Sequence, residues 1–112
     1  MGATNIEVWG VGPDLNTVYD ELVKDAQYDW GHDPYNGTIS TIVDLRDKTK
    51  LLNEMLDLKK RKTEKWIETV LSQFREKAWD DCAKRECWAA EVHWVKATKK
   101  KKRFVFIGWA AE

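Results

Sequence analysis

The stretch Gly31-His32-Asp33-Pro34-Tyr35-Asn36-Gly37-Thr38-Ile39-Ser40-Thr41-Ile42 divides the chain into two unlike parts. It holds two of the six glycines, one of the two prolines and one of the two histidines. From Ser40 to Ile107 there is no glycine or proline at all, so no strong breaker interrupts that span.

Upstream, Asn5 to Val11 alternates, with Ile6 and Val8 on one side and Glu7, Trp9 and Val11 on the other. That is a strand pattern, stopped by Gly12-Pro13. Asp14 can then cap a helix by accepting the free N–H groups of its first turn. Leu15, Val18, Tyr19, Leu22, Val23, Ala26 and Trp30 recur at three- and four-residue spacings, one stripe of an amphipathic helix. Gly31 supplies its C-cap.

Downstream, the β-branched run Gly37 to Ile42 predicts a short strand. Asp44 is the expected cap of a helical region reaching about Cys82. Leu45, Leu52, Met55, Leu56, Trp66, Ile67, Val70, Leu71, Phe74 and Ala78 share one face of that region. One helix of this length would run to about 60 Å. Either it breaks near Lys59–Thr63, with Thr63 capping a second helix, or a long helix pairs with another copy in a homodimer. Glu86 to Val95 alternates again, and Phe104 to Ala110 is a last strand joined to it across a lysine-rich turn.

The order β-α-β-α(α)-β-β predicts a single α+β domain over residues 1–112: a small, mostly antiparallel sheet with helices packed on one face. Nineteen basic residues balance nineteen acidic ones, which argues against a bulk polyanion binder. No apolar run approaches the ~18 residues of a membrane span, and no signal peptide is visible. With two cysteines, Cys82 and Cys87, reduced thiols in a cytosol are expected.

The candidate functional residues fall in three groups. His32, Asp33, Tyr35, Asn36 and Thr38 crowd into one loop between two rigid elements, where binding residues concentrate. Asp33 and Asn36 could equally serve only to stabilise the turn. Nine basic residues form two clusters, Lys59, Lys60, Arg61 and Lys62, and Lys99, Lys100, Lys101, Lys102 and Arg103. These could grip phosphates, or be solvated faces. Cys82, Cys87, His93 and His32 lack the short knuckle spacing of a zinc site, and no phosphate loop or nucleophile signature is present. No cofactor, metal or catalytic residue is expected.

The series Tyr28-Asp29-Trp30-Gly31-His32-Asp33-Pro34-Tyr35-Asn36-Gly37-Thr38-Ile39-Ser40-Thr41, with the closing Phe106-Ile107-Gly108-Trp109-Ala110-Ala111, resembles a group of small uncharacterised proteins from bacteriophages and related mobile elements. The two segments cover about a fifth of the chain. Trp30 stands where the pattern has Tyr, and Ile107 where it has an aromatic. The resemblance implies a phage origin and action in the host bacterial cytoplasm. By class, it implies a non-enzymatic accessory protein that binds and inhibits a host macromolecule, for example a defence or CRISPR effector. The Gly31–Thr38 loop and the terminal hairpin, with Trp109, would supply the contact surface. Two alternatives remain: a small-ligand or nucleotide-binding module built on the same loop, and a nucleic-acid-binding protein built on the basic clusters.

Overall fold

A computed structural model describes residues 2–31, 37–56, 64–92 and 102–111 of the chain. Strand β1 (Ala3–Gly12) leads into helix α1 (Leu15–Trp30). A single 3₁₀ turn at Ile39–Thr41 precedes strand β2 (Asp44–Asp47). Helices α2 (Thr49–Leu56) and α3 (Glu64–Asp81) come next, then strands β3 (Glu86–Glu91) and β4 (Lys102–Ala111). The fold is α+β, as expected.

The strands lie in the order β1-β4-β3-β2. β4 pairs antiparallel with β1 and with β3, whereas β2 pairs parallel with β3. The sheet is therefore mixed rather than antiparallel throughout. The reason is the strand–helix–strand path from β2 through α2 and α3, which brings β3 back in the same direction.

Both faces of the sheet are covered, against the expectation of helices on one face. Trp88, Ala90 and Val92 join Val105 and Ile107 beneath α2 and α3. Cys87 and Ala89 join Phe104, Phe106, Ile6 and Val18 on the α1 side. β3 and β4 are buried in both parities, and a strand that is apolar on both faces needs cover on both.

Three local expectations are corrected. Gly37 to Ile42 is not a strand. Thr38 Oγ1 accepts from Ser40 N–H at 3.3 Å, and Thr41 N–H donates to Thr38 O at 3.0 Å, so hydroxyl-bearing residues close a tight turn instead. The strand sits further on at Asp44–Asp47, and Asp44 caps no helix. At the start of α2 the Asp47 carboxylate, two residues before Thr49, accepts from Thr49 N–H at 3.0 Å.

The long helical region is two helices packed on each other. Trp66 Nε1–H donates to Leu56 O at 2.9 Å, and Leu52, Leu56, Ile67, Val70, Leu71 and Phe74 bury one another. The apolar stripe is thus used inside one chain and not left as a dimer seam. Leu45, assigned to that stripe, lies on β2 and packs on the α1 side. The proposed break at Lys59–Thr63 lies outside the described residues, as do His93 to Val95.

No described helix is long and apolar enough to cross a membrane.

Candidate functional site: a cleft between the β1 edge and α1

Helix α1 is fixed at both ends. Asp14 Oδ1 accepts from Thr17 N–H at 2.8 Å and Oδ2 from Thr17 Oγ1 at 3.0 Å. These hydrogen bonds hold the Asp14 carboxyl below its ordinary range. At the other end Gly31 has φ 82° and its N–H donates to Gln27 O at 2.8 Å. A side chain there would be strained, which is why glycine ends the helix.

Near its start α1 lies tight against β1. A Cβ on Gly10 would come within 2.5 Å of Val18 Cγ1, so the absence of a side chain sets the approach. Further along, the helix stands off from the strand and a cleft of about 460 Å³ opens. Ile6, Val8 and Ile39 contribute apolar surface to it. Leu22, Asp25, Ala26, Asp29 and Trp30 line it from α1, and Gly37 and Thr38 line it where the chain returns. Trp30, assigned from sequence to the buried stripe, is 68% exposed. A large aromatic left at a cleft's rim is the kind of group that anchors a partner.

The returning segment is pinned from below. Thr41 is fully buried; its Oγ1 donates to Thr38 O at 2.8 Å and accepts from Ala111 N–H at 2.9 Å. Gly37 N–H donates to Ala111 O at 2.7 Å. Tyr19 Oη reaches Ile42 O at 3.3 Å, and burial pushes its pKa up, so it stays a neutral donor.

Of the residues singled out from sequence, Thr38 lines this cleft. His32, Asp33, Tyr35 and Asn36 lie outside the described residues, between Gly31 and the cleft-lining Gly37. Trp109 is not brought to the same place. It packs on the opposite face, under α3, where its Nε1–H donates to Trp79 O at 2.7 Å. In the basic clusters, Lys59, Lys60, Arg61, Lys62, Lys99, Lys100 and Lys101 lie outside the described residues. Lys102 pairs with Glu91 at 3.8 Å, and the Arg103 guanidinium lies over the Trp9 ring at 5.1 Å.

Cys82 and Cys87 are free thiols, both buried. Burial pushes Cys82 up to about 12 and Cys87 higher still, so neither is a thiolate nucleophile near neutral pH.

The residues that sequence reading missed are Asp25, Asp29 and the β1 backbone beside them. Asp25 and Asp29, four apart on one helix flank, were a visible signal. That β1 is an edge strand was not, because strand order depends on pairings distant in sequence. No protein-family model, curated protein or solved structure matches the chain.

Proposed function

We propose that this is a non-enzymatic binding protein that holds a macromolecular partner at the cleft between β1 and α1. The supporting observation is the coincidence of three features: an apolar-lined cleft, an edge strand beside it, and the exposed indole of Trp30 at its rim. The resemblance of residues 28–41 to phage proteins gives the partner's class as a host bacterial macromolecule, a defence effector being one example.

Photo-crosslinking in bacterial cells tests this. A benzophenone side chain at position 29 or 38 is expected to give a discrete adduct, and one at position 68 on the exposed flank of α3 is expected to give none. Equal labelling from all three positions, or none from the cleft, would reject the reading.

A second reading has an observation of its own. A cleft of about 460 Å³ is within the usual range for small ligands. A ligand at 100 times its dissociation constant would add about 2.7 kcal/mol, which a thermal-shift screen against nucleotides would detect.

A further inference from the structure

The two edges of the sheet are built differently. β2 closes one edge with four residues, Asp44, Leu45, Arg46 and Asp47, of which three are charged. Short, charged edges are how sheets avoid taking on further strands. β1 closes the other with ten residues in unbroken register, Ala3↔Ala111 to Gly12↔Lys102, with no bulge. It carries one charge, Glu7, no lysine and no proline. Among the described residues no strand lies on its outer side. Trp79 Nε1–H meets Ile6 O at 3.4 Å, but Ile6 sits opposite Gly108 and its carbonyl faces β4, so the outward groups of the strand are those of Asn5, Glu7, Trp9 and Val11.

A row of outward strand N–H and C=O groups, without a strand partner among the described residues, is complementary to one thing above all, another extended chain. The cleft runs beside that row at Asn5–Val8, so alternate side chains of an added strand would enter it. There they would meet Asp25 and Asp29. α1 carries Asp20, Glu21, Asp25 and Asp29 against one cation, Lys24.

We infer that the partner docks by adding an extended segment to the β1 edge, with basic side chains on its α1-facing side. This rests on reading the cleft as the binding surface and names what fills it. A second copy is the disfavoured occupant. Two-fold pairing of β1 with β1 sets α1 beside its symmetry mate on one face of the joined sheet, acidic flank against acidic flank.

The test uses the full-length protein and two octapeptides, one alternating lysine and valine, the other glutamate and valine. The lysine peptide should bind about tenfold more tightly or better. Asp25→Asn with Asp29→Asn should weaken it about fivefold, while leaving the fold intact by circular dichroism. Amide exchange followed by NMR should slow at every second residue from Asn5 to Val11 when the lysine peptide is bound, since only alternate strand amides face outward.

Equal affinity for both peptides, or no alternate-residue protection, would overturn strand addition. So would a protein that elutes as a dimer which the lysine peptide cannot dissociate. If crosslinking from position 29 still captures a partner while the peptide shows no protection, the cleft stands as the binding surface and the added strand falls. If crosslinking from the cleft fails as well, both fall.

Discussion

The indole N–H of Trp109, on β4, donates to the main-chain carbonyl of Trp79 near the end of α3, across 2.7 Å. This bond ties the last strand to the helix layer on the face away from the cleft. It gives Trp109, a residue of the closing motif, a structural task in the fold. Trp109→Phe keeps the ring and removes the donor. The expected cost is about 1 kcal/mol, read from chemical denaturation, with partner crosslinking from position 29 unchanged.

Gly108 should be the least replaceable residue of that motif. A Cβ there would lie 2.7 Å from Cys87 Cα and would also press on the carbonyl of Glu86, so the obstacle is backbone and not a movable side chain. Gly108→Ala is expected to destabilise by about 1–3 kcal/mol through forced separation of β3 and β4. A denaturation midpoint equal to that of the wild type would show that the strands do not approach this closely.

Thr41 supports the returning edge of the cleft. Thr41→Val preserves shape but leaves Ala111 N–H without its acceptor and frees Thr38 O from the hydroxyl. The expected loss is about 1–3 kcal/mol. Amide exchange should quicken at Gly37 and Ala111 more than at Phe106, whose position in the sheet is independent of Thr41.

The Asp14 cap predicts a pH dependence. Its folded-state pKa lies below the ordinary carboxylate value, chiefly because Thr17 N–H donates to it. The stability it contributes is therefore present above that ordinary value and is lost as pH falls through the folded one. Asp14→Asn keeps a capping oxygen that does not titrate. Thermal midpoints followed from about pH 7 to pH 3 should decline less steeply in the variant than in the wild type.

How much of this was legible in the sequence differs from element to element. α1 was, because its cap, stripe and stop are all local: Asp14, Val18 at the tight end, Gly31. β2 was not, because Asp44-Leu45-Arg46-Asp47 has little strand propensity and is held by pairing with β3, some forty residues away. The turn at Ile39–Thr41 misled for the opposite reason. Its β-branched residues read as strand, but the Thr38 and Ser40 hydroxyls bond at 2.7 Å and tighten the backbone. The candidate loop follows directly on the end of α1 whose residues Asp25, Ala26, Asp29 and Trp30 line the cleft. The cleft itself needed two facts that no local pattern carries: that β1 ends the sheet, and that α1 stands off from it beyond Gly10.

The most direct measurement is chemical-shift mapping of the isotope-labelled protein titrated with the partner that crosslinking from position 29 recovers. The largest changes should fall on Asn5 to Val8 and on Leu22 to Trp30, with Glu68 and Glu76 of α3 unmoved. Changes centred on α3, or on the basic residues Lys102 and Arg103, with β1 silent, would contradict binding at the cleft.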